Sequence, residues 1–419
     1  MNKIFIKFFI FLIIIPISIF AGYENPKLVE VPKKYVNKAL DNIGFSNNPV
    51  DDKKDKDLPK LYNEEKEISE IIANSFSLEI SKVKSYQDKT ASLIVSKNDS
   101  KVTFQIFTHT GFSIKENKII EMNLPSSFYK EKKSDGGVKS VFTINGNYFA
   151  LISQKKFSCL YASIVDLKSG KEILKSSCLP DKDKVDFGGL GGAYIKMEDK
   201  ILLSIGVPTH ASEEIDKLSQ NMESVFGKII SIENKEFLNT ESRNFKYNIF
   251  SLGHRNPQGL VLINNSIFSL EHGPQGGDEL NEIKQGKNYG WPIVSLGTRY
   301  NEGKSFNKGF VDSNFKDPIF TFLPAVAPSS LNVCPKNLSK YYENYDCLIG
   351  LSLREMSLLI FLLDKNKKKV INVERIKLKK RLRHFGLRKD GKIFFDQNDY
   401  FYITADNDGL YKVKFNKFR

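Results

Sequence analysis

Between Gly253 and Pro292 the chain reads GHRNPQGLVLINNSIFSLEHGPQGGDELNEIKQGKNYGWP, and these residue types suit capture of an anion beside a cation. The stretch opens on a basic-polar turn, Gly253-His254-Arg255-Asn256-Pro257-Gln258-Gly259. The guanidinium of Arg255 can hold a carboxylate at two points. Further on comes a loop, Glu271-His272-Gly273-Pro274-Gln275-Gly276-Gly277-Asp278-Glu279, in which glycine leaves backbone carbonyls and amides open to a ligand. Asp278 and Glu279 add hard oxygen donors of the kind that calcium takes. Fixed positive charge thus stands at one end of the stretch and a candidate cation site at the other.

A short apolar hairpin holds the two ends apart, Leu260–Ile263 and Ile267–Leu270, turning at Asn264-Asn265-Ser266. Comparable hairpins are expected at Leu93–Phe107, Ser140–Ser153, Ala193–Ile205, Leu331–Leu351 and His384–Phe395. From about Ser81 onward, short runs of Val, Ile, Phe and Tyr separated by Asn, Asp, Gly and Lys turns predict an all-β chain built from a repeated antiparallel unit. The last strand, Gly409–Phe415, is placed to pair with an early one. Before Ser81 the pattern differs. A short helix is expected around Lys33–Ile43, Asp51–Lys60 (DDKKDKDLPK) reads as a charged surface linker, and Ile68, Ile71, Ile72 and Phe76 recur at helical spacing, with a strand able to begin by Phe76.

The first residues are a separate case. Lys3 and Lys7 precede the uncharged apolar run Phe8–Phe20, which ends in Ala21-Gly22: a secretory signal over residues 1–21. An uncleaved membrane anchor is the other reading, for which the run is short. The expected location is periplasmic or extracellular, with the membrane met only through this segment. Four cysteines fit that compartment. Cys159 and Cys178 flank the turn at Lys168-Ser169-Gly170, and Cys334 and Cys347 flank Pro335–Asp346, so two local disulfides are expected; two pairs of buried free thiols are the alternative. The formal charge of +14 invites a nucleic-acid partner, but lysines are spread along the whole chain and no nucleic-acid motif accompanies them. No nucleic-acid partner is expected, and the sequence leaves the oligomeric state open.

The stretch Gly253–Pro292 closely resembles the soluble glucose/sorbosone (aldose sugar) dehydrogenases that use pyrroloquinoline quinone (PQQ), because GHRNPQG, EHGPxGGDELN and GxNYGWP occur in order at that family's spacing. The resemblance implies a six-bladed β-propeller over residues 81–419, preceded by an irregular or helical extension at 22–80. It implies PQQ and calcium as cofactors, a small sugar or alcohol as substrate, and an external electron acceptor. It further implies cofactor contacts at Arg255, Asn256, His272 and Asp278. Gly273 and Pro274 match the carbonyl ligands of the cofactor's calcium, and Glu279 and Tyr289 a second calcium site. Ala327-Pro328-Ser329-Ser330 matches the family's APS segment. In Leu351-Ser352-Leu353-Arg354, Arg354 replaces a lysine that faces PQQ. Arg381-Leu382-Arg383 resembles the family's R-x-R pair, and alternation on a strand would send Arg381 and Arg383 to one face.

The sequence also departs from the family. Its base is a histidine in an H-x-G-G segment, and the matching stretch here, Asp186-Phe187-Gly188-Gly189-Leu190-Gly191-Gly192, places Gly189 at that position. The substrate-side glutamine falls near Asp135 in Ser134-Asp135-Gly136-Gly137, and the aromatic wall before APS becomes Phe320 and Leu323, with Ala325 in place of a hydroxyl residue. Asp135 and Asp186 are the first candidates to replace the base, with His210 a third. The expectation is an exported PQQ- and calcium-dependent dehydrogenase. The alternative is a non-catalytic propeller that keeps the cofactor cradle and binds a sugar, a small anion or a protein. Hydrolysis is disfavoured, since no nucleophile comes with an orienting histidine.

Overall fold

Ser357–Leu363 (SLLIFLL) is buried at every position, as a strand covered on both faces must be. Its neighbour Val370–Lys377 (VINVERIK) carries the charge expected of a strand at a sheet's edge. This inner-to-outer gradient recurs through a computed structural model that describes residues 59, 61–62, 68–73, 76–99, 101–209, 211–238, 245–300, 302–306, 312–366 and 369–418. The leader, the helix expected near Lys33–Ile43, most of the charged linker and His210 lie outside the described residues.

The fold is all-β with a few short helices. Four sheets are four-stranded antiparallel meanders, beginning at the strands Val138–Ile144, Gly191–Lys196, Asn256–Ile263 and Pro328–Val333. A ten-stranded sheet holds the two ends of the described chain. In it, Thr90–Asn98 leads one meander outward, and Leu382–Leu387 leads another through Phe401–Ala405 and Gly409–Phe418 to Phe76–Tyr86. The two leading strands pair parallel, Gly386 opposite Leu93. The last strand does pair with an early one: Val413 lies opposite Ile80 and Tyr411 opposite Lys82.

Each meander shares a buried apolar cluster with the next. Val141 and Ile152 pack with Ala91 and Ile94, Leu203 and Ile230 with Phe142 and Leu151, and Leu260 and Ile267 with Leu202 and Ile229. Leu348 and Leu359 pack with Phe268 and Leu270, Phe385 and Ile403 with Ile349 and Ile360, and Phe394 and Tyr402 with Leu93 and Ile106. The last of these contacts brings the final meander against the first. The leading strands therefore stand beside one another around a central channel.

Both expected disulfides form, Cys159–Cys178 and Cys334–Cys347, with Cα atoms 5.2 and 5.4 Å apart. Two local expectations fail. Ile68–Ile72 is a strand and not a helical turn; it pairs with Phe76–Tyr86, Ile71 opposite Leu78. Helix propensities differ by only about 0.7 kcal/mol per residue, whereas burying one large aliphatic side chain stabilises by roughly 1.5–3 kcal/mol. Packing of Ile71 against the cluster that holds Leu78 and Phe415 therefore decides the matter. In the hairpin expected at His384–Phe395, Leu387 and Ile393 form only an isolated bridge, and the sheet partner of Leu382–Leu387 is the later strand Phe401–Ala405.

Candidate functional site

The turn before Asn256–Ile263 is stitched to the Asn288–Trp291 segment. Gly253, at φ +76°, has no room for a side chain, since a Cβ would stand 2.1 Å from Asn288 Oδ1. The backbone N–H groups of Tyr289 and Trp291 donate to the carbonyls of Leu252 and Gly253, each at 2.9 Å. His254, fully buried, lies between Ser251 Oγ and Glu271 Oε1 and stacks on the Tyr289 ring at 4.6 Å. It is thus a strut that joins all three motifs.

Arg255 is buried and oriented. Its Nη1 donates to the Gly273 carbonyl at 2.6 Å, and its guanidinium lies 5.3 Å from the Trp291 ring centre and 6.0 Å from that of Tyr300. Gly273 also donates its N–H to Asp278 Oδ1 at 3.0 Å, while Asp278 Oδ2 accepts from the amides of Val326 and Ala327, both at 2.7 Å. Asp278 therefore ties the glycine loop to the segment before Pro328. Burial lifts its carboxyl to about 6 against those three donors. His272 is held in the same network by its Nε2–H to the Pro328 carbonyl. Arg255, His272, Gly273 and Asp278, expected around one cofactor, do come together.

Asn256 faces the other way. Its amide donates to the Gly188 carbonyl at 3.2 Å and its Oδ1 accepts from Gly191 N–H at 3.1 Å, which fixes the glycine-rich turn. Asp186 caps that turn, accepting from Gly188 N–H at 2.7 Å. Gly189 is turned inward, where a Cβ would stand 2.2 Å from the Val207 carbonyl oxygen. Gly188 is the residue that faces the channel mouth; a Cβ there would stand 3.1 Å from Asp135 Oδ2.

That mouth is a small open pocket walled by Lys89, His109, Asp135, Lys139, Arg383 and His384. It shares Lys139, Gly191, Gln258 and His384 with a narrow channel between the leading strands. Asp135, in a left-handed conformation at φ +44°, is ion-paired to Lys89 and stands 3.6 Å from both Lys139 Nζ and His109 Nε2. Burial alone would raise its carboxyl, but the cations beside it, Lys139 first and Lys89 with it, hold it well below the usual carboxylate range. Burial brings the Lys139 ammonium down to about 8, against the pull of Asp135. His109 is pushed well below 6.5 by burial and then by the Lys139 charge. Arg383 is locked to buried Asp406 through two hydrogen bonds. Burial and the neighbouring Arg383 bring His384 down to about 3.

Arg383 thus lies at the mouth together with Asp135, Gly188 and Lys139. Its partner Arg381 is exposed, and so is Arg354, so the expected pair does not converge on one side-chain environment. A local register irregularity between Leu382 and Phe385 breaks simple strand alternation there. His109, Lys139 and His384 went unmarked by any motif. Only the scarcity of histidine, five in the chain, singled any of them out.

For calcium, the Gly273 carbonyl is already turned to the Arg255 guanidinium. The Tyr289 hydroxyl is used within its own turn, donating to the Glu282 carbonyl and accepting from Lys284 N–H. Glu279 shares the Asn281 amide with Glu271 and is pushed up to about 8 by burial and then by the Glu271 charge. Among the described residues no group of three or more His, Cys, Asp and Glu side chains is arranged to hold a metal, and no helix is long and apolar enough to cross a membrane.

Fold and site define an all-β, propeller-like protein with a cationic, glycine-lined channel mouth. The Glucose / Sorbosone dehydrogenase family model matches residues 165–401, and the chain belongs to that family. The uncharacterized protein slr1608 of Synechocystis is 31% identical over 216 residues, which are 48% of this chain and 52% of that protein. The chain thus spans about half the length of that curated relative. The soluble aldose sugar dehydrogenase of Escherichia coli, solved in its apo-form, shares the fold at TM-score 0.61 and 18% identity, covering 80% of this chain and 99% of that one. The PQQ-bound aldose sugar dehydrogenase of Streptomyces coelicolor does so at TM-score 0.55 and 17% identity, covering 83% and 100%.

Proposed function

We propose that the protein is an exported dehydrogenase that uses PQQ and calcium to oxidise an aldose or related alcohol and hands the electrons to an external acceptor. The observation that carries this reading is the mouth itself: Lys89, Lys139 and Arg383 around a cavity whose far wall, Gly188, is bare backbone. Lys89 and Lys139 share Asp135 and Arg383 is paired with Asp406, so three cations face two carboxylates, and the excess positive charge beside open backbone suits a flat polycarboxylate. PQQ, when bound, supplies an electron-poor quinone able to accept a hydride. Arg383, held in place by Asp406, would meet a carboxylate; Arg255, anchored between Trp291 and Tyr300, would meet another across the glycine loop. Exposed Arg354 and Arg381 would close over the outer edge. Six four-stranded meanders, with the C-terminal strand pairing with an early one, support a six-bladed propeller.

Calcium is the less direct part. A cation near Glu279 would relieve the crowding of Glu279 and Glu271, so the acids there fit one on charge. At Gly273 the guanidinium of Arg255 would have to yield the carbonyl first.

A second reading, a non-catalytic propeller that keeps the cradle, is favoured by one observation: Gly189 has no room for the base expected there. Dye reduction by the mature protein, reconstituted with PQQ and calcium and screened over aldoses, separates the two. Turnover with at least one sugar is expected; uptake of PQQ without turnover on any aldose or alcohol would establish the second reading.

A further inference from the structure

Gly189 leaves the chemistry without a base from its own turn, yet two imidazoles line the mouth, His109 and His384, the second brought down to about 3 by burial and Arg383. We propose that His109 is the general base of this chain, an assignment that rests on the dehydrogenase reading above. His109 follows the strand Lys101–Thr108 and lines the same cavity as Gly188 and Asp135. Its Nδ1 lies 3.1 Å from the Val138 carbonyl oxygen. A carbonyl only accepts, so Nδ1 carries the proton and Nε2 keeps its lone pair. Nε2 is the ring atom turned toward Asp135, whose Oδ1 is 3.6 Å away. The ring edge has room only because residue 137 is glycine: a Cβ there would stand 2.6 Å from Nε2.

The charges around the imidazole favour the same protonation state. Lys89, Lys139 and Arg383 face it as cations and Asp135 as the one anion, and with burial they keep the ring neutral. Lys139 is the competing base. With its ammonium at about 8 it is mostly protonated at neutral pH and has no lone pair to offer. Its Nζ also donates to the Asp135 backbone carbonyl, which orients it. Asp135 has its carboxylate already engaged, ion-paired to Lys89 with Lys139 Nζ 3.6 Å away.

In the proposed step the substrate's C1 hydroxyl presents its proton to His109 Nε2. The O–H bond would break with its proton going to the imidazole as a C1=O bond forms; PQQ, when bound, would supply the acceptor for the C1 hydrogen and its electron pair. The imidazolium then returns its proton to solvent through the mouth.

The test uses the full mature chain with PQQ, calcium, glucose and an artificial dye. His109→Gln keeps a donor for Val138 but has no base, and kcat should fall by about 10²–10⁴-fold. PQQ affinity, read by absorbance, should stay within about threefold by the same argument, since a proton acceptor contributes to the reaction and not to cofactor binding. Added imidazole should restore part of the rate to His109→Ala. Nitrogen NMR of the unmodified protein without cofactor should find His109 neutral at pH 6 and protonated on Nδ1. Full turnover by His109→Gln would overturn the assignment and leave the dehydrogenase reading standing. An Nε2–H tautomer would overturn it independently of any activity. Wild-type protein that binds PQQ and turns over nothing would overturn both.

Discussion

Gly189 and Val207 touch backbone to backbone: a Cβ on Gly189 would stand 2.2 Å from the Val207 carbonyl oxygen, and one on Gly206 would stand 2.2 Å from the Gly189 carbonyl. The glycine is therefore a packing requirement of this turn, and a side chain cannot simply be put back. Gly189→His should lower stability by about 1–3 kcal/mol or more through overpacking, with no gain in dye reduction. Thermal unfolding and steady-state assays check both parts. An unchanged Tm would show that the turn has another conformation open to it.

Glu279 contributes to the pH dependence of the metal-free protein. Its folded-state carboxyl lies at about 8, against 4.5 in the open chain, because of burial and then the Glu271 charge. Between those values the folded state binds more protons than the unfolded one, so stability falls as pH rises from about 4.5 to about 8. Calcium binding there would favour the charged form and flatten or reverse the slope. Tm measured against pH, with chelator and with calcium, reads this directly. Glu279→Gln should make the slope in chelator shallower, leaving the part that Asp278, raised to about 6, contributes.

Arg383 and Asp406 separate stability from binding. Asp406 is almost wholly buried, and both of its oxygens accept from the guanidinium. Arg383→Met leaves that carboxylate unpaired and should cost about 3–5 kcal/mol. Arg383→Met with Asp406→Leu removes both charges and should recover most of that loss. If Arg383 serves the cofactor, the stable double variant still binds PQQ much more weakly than wild type. Wild-type affinity in the double variant would make the pair purely structural.

Much of the framework was legible because its causes are local. Period-two apolar runs gave the strands, Asn and Gly turns placed the hairpins, and cysteines across short turns gave both disulfides. The Gly253–Pro292 stretch was legible as a site because its glycines and charges are contiguous. What escaped was assembled at long range. His109 stands between two threonines with no motif around it, and it acquires its surroundings only when Asp135, Lys139 and Arg383 arrive from other meanders. Asp278 offered oxygens in the sequence, but the fold gives them to the amides of Gly273, Val326 and Ala327. Ile68–Ile72 had helical spacing and too little length to hold it against an adjacent sheet edge.

The most direct measurement is a titration of the protein with PQQ in the presence of calcium, followed by absorbance, with an aldose added once the cofactor is bound. The account predicts saturable uptake of one PQQ per chain and reduction of the bound quinone when sugar is added, with both lost in Arg255→Ala. No uptake, or uptake unchanged in Arg255→Ala, would contradict it.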